Sequence, residues 1–235
     1  MKLTRREAIV ATGAVLTVGT ARAESPADGG IGGVEDIVNY AWATIAPEPR
    51  DEVEFEDDVY MNEIVETDDE SALVIKFADG SKLTLGENAK IVIDKYVYDP
   101  GTSSGEQAVT LTKGAFRFLS GSIPKENVQI KTPTVTIGIR GTELIFDVAD
   151  DGETEMSTVE GEADCTDGEG ETLTVAAEES ILVGPDRKFR GRVRKFRHKS
   201  RSLAIAEGLE GARKRWRLRK VRRRRVIRRR RRRNN

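Results

Sequence analysis

Between Val38 and Val183 apolar and polar side chains alternate with a period of two, and Gly, Asp-Gly or Pro interrupts the alternation every few residues. Successive side chains of an extended chain point to opposite faces, so this pattern predicts half-buried β-strands. Leu73, Ile75 and Phe77 lie on one side of Asp79-Gly80, and Leu83 and Leu85 on the other. A two-residue loop would pair Ile75 with Thr84, whereas a three-residue loop pairs Phe77 with Ser81, Ile75 with Leu83 and Leu73 with Leu85. Only the second register keeps the apolar groups on one face, and it places Gly80 where left-handed backbone is usual. Further strands are expected over 91–98, 108–112, 115–119, 128–131, 134–139, 143–148, 155–159, 172–176 and 180–183. The phase of the alternation shifts at Gly114 and at Pro133, which marks corners or bulges. Val34, Ile37, Val38, Ala41 and Ile45 have helical spacing, while Val38, Tyr40 and Trp42 alternate as a strand. The pattern as a whole predicts an all-β fold, either an antiparallel β-sandwich or a short β-solenoid.

Charge divides the chain more sharply than hydropathy. The 235 residues hold 39 Lys+Arg against 40 Asp+Glu, yet residues 1–23 carry +3, residues 24–186 carry −27 and residues 187–235 carry +23. One Cys excludes an intramolecular disulfide framework, and one His excludes multi-histidine metal centres. Since His198 lies in the basic end, a Ser-His-Asp or Cys-His hydrolase in the acidic body is not expected. No dinucleotide fingerprint or Walker-type loop occurs, and the reading is of a non-enzyme without a cofactor. The first residues have the order of a secretory signal: Lys2, Arg5 and Arg6, a short apolar stretch from Ala8 to Thr20, then Ala21-Arg22-Ala23 as a small-x-small cleavage site. The Arg5-Arg6 pair points to the twin-arginine route, with an ordinary signal as the alternative. The expected organisation is a signal peptide over 1–23, cleaved after Ala23 for release to the periplasm, a linker over 24–37, a β-domain over 38–186 and a basic tail over 187–235. No apolar run is long enough for a transmembrane helix. Cys165 falls in a loop-like acidic stretch, where it could cross-link two chains or remain a free thiol.

Several phrases then occur in a fixed order. Asp79-Gly80-Ser81 opens the first, in FADGSKLTLGEN, and Val97-Tyr98-Asp99-Pro100 follows. Next come Lys113-Gly114-Ala115-Phe116-Arg117-Phe118, then Lys131-Thr132-Pro133, and finally Gly138-Ile139-Arg140-Gly141-Thr142. Together they resemble the FecR domain, and in particular its stand-alone exported versions, over roughly Val38 to Val148 with a weaker continuation to Val183. The resemblance implies a β-rich domain outside the inner membrane that works by contact rather than catalysis, and it favours strand for the ambiguous 34–45 segment. In the founding members this domain is the outer part of a transmembrane anti-sigma regulator that receives a signal from an outer-membrane transporter. This chain shows neither the cytoplasmic anti-sigma domain nor the membrane helix, so a direct anti-sigma role is not expected. The signature residues are expected to be structural, with Gly138 and Gly141 relieving crowding or supplying special backbone angles.

Arg140 has two readings, an ion pair with a carboxylate such as Glu143 or a bidentate anchor for an anionic ligand. The acidic clusters at 52–58, 68–70, 150–155 and 164–171 suggest either calcium or a solvated surface, and the alternating ligand spacing of a calcium loop is missing. In the tail, Ser200 to Gly211 contains Leu203, Ile205 and Leu209 and reads as a short helix, after which Arg is almost continuous, so the tail is expected to be partly helical or disordered. Arg213, Trp216, Arg222 and Arg228 are candidates for gripping polyanions such as anionic lipid or lipopolysaccharide phosphates. Alternatively the tail pairs with the acidic body of its own or a neighbouring chain, giving a homo-oligomer. Nucleic acid is opposed by the export signal. The functional expectation is a periplasmic sensing module that binds an envelope protein, and the alternative is a structural protein coating anionic surfaces.

Overall fold

The computed structural model describes residues 29–140 and 143–195, and these form two facing β-sheets that share one long strand. The first sheet contains β1 (Gly32–Val38), β4 (Asp58–Val59), β6 (Ala72–Phe77), β7 (Lys82–Leu85), the second part of β9 (Ser104–Leu119), β12 (Glu143–Val148), β13 (Thr154–Glu160), β16 (Glu179–Val183) and β17 (Arg194–Lys195). Its spatial order is β4-β1-β6-β7-β9-β12-β13-β16-β17. The second contains β2 (Ala41–Thr44), β3 (Asp51–Glu52), β5 (Ile64–Thr67), β8 (Lys90–Asp99), the first part of β9, β10 (Val128–Lys131), β11 (Thr136–Ile139), β14 (Glu162–Thr166) and β15 (Thr172–Ala176), ordered β3-β2-β5-β8-β9-β10-β11-β14-β15. Every pairing is antiparallel except β9 with β10, so the sandwich is mixed rather than purely antiparallel. Inward side chains from both sheets merge into one core, with Leu73, Leu83, Phe116, Phe118 and Phe146 from the first and Ile91, Leu111, Ile137, Cys165 and Val175 from the second. Full burial of each large apolar side chain contributes about 1.5–3 kcal/mol.

The hairpin at Asp79-Gly80 adopts the three-residue register, with Leu73 opposite Leu85 and Ile75 opposite Leu83. The Phe77 amide donates to the Ser81 carbonyl at 2.9 Å, and Gly80 has φ +85°. Gly114 is the corner it was expected to be, but the strands on either side are one continuous β9 that leaves one sheet and enters the other there. At φ +109°, a Cβ on Gly114 would lie 2.6 Å from both Cα and Cβ of Ala89, so only Gly permits this crossing.

Three boundaries differ from expectation. The 24–37 stretch holds most of β1 rather than a linker, and Val34 and Ile37 are buried. A bulge between Val34 and Asp36 sets those two apolar residues three apart while keeping both inward, which is why their spacing imitates a helix. The 163–168 stretch, read as a loop, is largely β14: Ala163 and Cys165 alternate with polar residues, and Cys165 lies fully buried in the core. The fold also continues past residue 186, through a bridge of Val183 with Phe189 and the pairing of β16 with β17. The signal segment 1–23 and the tail beyond Lys195 lie outside the described residues.

Candidate functional site

The Asp79-Gly80-Ser81 hairpin turns its carboxylate into the protein rather than toward solvent. Asp79 is 3% exposed and Ser81 fully buried. Asp79 Oδ1 accepts from Ser81 Oγ at 2.6 Å, from the Ser81 amide at 3.2 Å and from the Tyr96 hydroxyl at 3.1 Å. The Tyr96 oxygen in turn accepts from the Asp79 amide at 2.7 Å. On the other side, the loop after β9 closes over the turn: the Ser122 amide and hydroxyl both donate to the Asp79 carbonyl at 2.9 Å, and the Ile123 amide approaches Oδ2 at 3.5 Å. Gly121 makes this possible, since a Cβ there would collide with the Asp79 carboxylate and carbonyl and the Ser81 amide.

Two further core groups complete the cluster. The Tyr96 ring stacks on Phe77 with centroids 5.4 Å apart. Burial pushes the Tyr96 phenol well above its ordinary value of 10.0, because the charged form loses water there. Gln107, 2% exposed on β9, sets its Oε1 3.4 Å from Ser81 Oγ, and its Nε2 has no partner. Ser81 Oγ already donates to Asp79, so turning the amide over would let Gln107 Nε2 donate to it. Held by donors at both its carboxylate and its carbonyl and sealed from water, Asp79 pins two loops together. It offers no approach to a substrate.

The remaining signature residues serve their own neighbourhoods. Asp99 and Pro100 are exposed at the tip of the β8–β9 hairpin, where the Gly101 amide and Thr102 hydroxyl donate to the Asp99 carboxylate and hold its pKa below the ordinary 3.8. Tyr98 packs against the core edge, and Phe116 and Phe118 lie inside it. Thr132 Oγ1 accepts from the Thr134 and Val135 amides at 3.3 and 3.2 Å in the turn that carries the exposed Pro133. Gly138 relieves no crowding: it sits in β11, where a Cβ would come no closer than 3.9 Å to its nearest neighbour, the Asp164 carbonyl. Arg140 does form an ion pair, but with Asp164 at 2.6 Å, while Glu143 is taken by Arg117 at 2.8 Å across β9 and β12. Gly141 and Thr142, and the tail residues Arg213, Trp216, Arg222 and Arg228, lie outside the described residues.

The acidic clusters use carboxylates to build turns. Asp167 Oδ1 accepts from the Glu169 and Glu171 amides at 2.9 and 3.0 Å, and Asp151 Oδ1 from the Glu153 amide at 3.0 Å. Among the described residues, no three His, Cys, Asp or Glu side chains are grouped to hold a metal ion. A surface cluster escaped the sequence reading: Arg50 lies 4.2 Å over the Trp42 ring, and Trp42 Nε1 donates to Asp68 at 2.8 Å.

Residues 63–164 match the family described as FecR protein. Two crystal structures of a "putative anti-sigma factor" from Parabacteroides distasonis, at 1.65 and 2.50 Å resolution, align at 12% identity with TM-scores of 0.44 and 0.45. The alignments cover 60% of this chain and 62% of that one. No curated protein matches the sequence.

Proposed function

We propose that the FecR domain carried by residues 63–164, with the strands that flank it, is a periplasmic sensing or protein-binding module whose basic tail holds it to polyanions. The domain is non-catalytic. The observation that carries this reading is the use of the signature residues: Asp79 and Ser81 knot a hairpin, Phe116 and Phe118 fill the core, and Thr132 shapes a turn. What remains for function is surface. The order of residues over 1–23 as a secretory signal supports a periplasmic location for that surface and an envelope protein as its partner. The tail, with Arg213, Trp216, Arg222 and Arg228, supplies charge for anionic lipid or lipopolysaccharide phosphates. The −27 and +23 segments support a second reading, a structural envelope protein that coats anionic surfaces or self-associates through its opposite charges.

A capture experiment from envelope extract at two salt concentrations separates them. It compares the mature chain with a chain ended after Lys195, which retains the Lys188–Glu169 ion pair and β17. A defined partner kept by the shorter chain at high salt supports the recognition module. Loss of all binding with the tail or with salt supports the coating protein.

A further inference from the structure

The outer face of the first sheet, opposite the core, carries a row of side chains in direct register: Val74 on β6, Thr84 on β7, Arg117 on β9, Ile145 on β12, Ser157 on β13, Ser180 on β16 and Arg194 on β17. Outward residues of an open sheet face are normally polar and solvated. Here Ile145 is 2%, Ser157 4%, Ser180 6% and Val74 9% exposed. Ile145 stands apart from the core cluster, and Ala72 and Val74 form a second, separate apolar cluster with Val38. The second sheet packs on the opposite, core side of this one. Apart from Arg117 and Arg194 the row is made of small or apolar groups, and the Arg117–Glu143 ion pair, Asp147 and Glu155 lie on the same face.

Past residue 186 the chain folds onto the body: Lys188 pairs with Glu169, Arg190 with Asp186, and β17 joins the edge of this same sheet with Arg194 opposite Ser180. From Lys195, residues 200–211 follow after a short connection and carry Leu203, Ile205 and Leu209 among small residues. The eight steps from Lys195 to Leu203 reach about 26 Å when extended, and Ile145 lies three strand spacings from β17, about 14 Å. We propose that residues 200–211 of the same chain dock their apolar side chains over the Val74–Ser180 row, so that the arginines from Arg213 onward project from a fixed place on the body. This inference does not depend on what those arginines grip.

Single-cysteine reporters test it in the full mature chain, because native Cys165 is buried and gives a low background. Maleimide labelling of Ser157→Cys, and separately of Ser180→Cys, is followed with the native tail and with Leu203→Asp, Ile205→Asp and Leu209→Asp together. Docking predicts labelling at least tenfold faster in the triple variant, with Cys165 still unlabelled, and protection that survives high salt and dilution. Equal rates with both tails, at both reporters, overturn the proposal. Protection that disappears on dilution also overturns it, since the covering segment then belongs to a second copy. Protection that disappears with salt alone assigns the effect to the arginines and removes the apolar contact.

Discussion

The Tyr96 hydroxyl and Asp79 exchange two hydrogen bonds: the Asp79 amide donates to the Tyr96 oxygen at 2.7 Å, and the hydroxyl donates to Asp79 Oδ1 at 3.1 Å. The two residues are 17 apart in the chain and belong to different sheets, so the exchange ties the tip of the β6–β7 hairpin to β8. Through Ser122 and Ile123 the same aspartate holds the loop after β9. One buried aspartate, through its carboxylate, amide and carbonyl, thus fixes three stretches of chain at one end of the sandwich.

Tyr96→Phe keeps the ring on Phe77 but leaves the buried Asp79 amide without an acceptor. The expected loss is about 1–3 kcal/mol of unfolding free energy, seen as a lower urea midpoint with an unchanged slope.

Gly121→Ala and Gly80→Ala separate crowding from backbone strain. A methyl on Gly121 meets buried backbone and carboxylate atoms, whereas around Gly80 the space is open and only φ +85° resists the change. Gly121→Ala is expected to cost about 1–3 kcal/mol through overpacking, and Gly80→Ala about 1 kcal/mol. Paired thermal melts check the order.

Alkaline pH should destabilise the protein in two steps. Burial raises both the Cys165 thiol, ordinarily 9.0, and the Tyr96 phenol, ordinarily 10.0. The folded protein therefore keeps protons that the unfolded chain releases. Stability is full below about pH 9 and falls above it as Cys165 and then Tyr96 ionise in the unfolded chain, by about 1.4 kcal/mol per pH unit for each group. Urea midpoints between pH 8 and 11 measure the decline, and Cys165→Ala is expected to move its onset from about 9 to about 10.

Cys165 should be chemically silent in the native state. It faces the core from β14, so a thiol reagent is expected to react only at the rate of unfolding, and non-reducing electrophoresis should show no disulfide dimer. Rapid native labelling would contradict its placement.

The periodicity read from the sequence was sufficient for most strands from β6 to β16 and for the β6–β7 register, because Gly80 and the alternation of Leu73, Ile75, Leu83 and Leu85 are local signals. It misled where geometry shifts the period. The β1 bulge gave Val34 and Ile37 a helical spacing, and the acidic partners of Ala163 and Cys165 made β14 look like a loop. The site was legible only in part. Asp79-Gly80-Ser81 announces a turn, but Tyr96, Gln107 and Gly121 reach it from 17 to 42 positions away, and no local pattern joins them. Arg140 shows the same limit: its charge predicted an ion pair, yet its partner Asp164 comes from a strand 24 residues on, while nearby Glu143 serves Arg117.

The central claim is that the signature residues hold the fold and leave recognition to the surface. Asp79→Ala tests it most directly, by measuring unfolding free energy and the capture of proteins from envelope extract in one preparation, under conditions where the variant and the native protein are both fully folded. Removing the carboxylate strands the Ser81 and Tyr96 donors, so a loss of about 1–3 kcal/mol for each is predicted, with capture by the folded protein unchanged. Unchanged stability with capture abolished would make Asp79 a recognition residue and contradict the account.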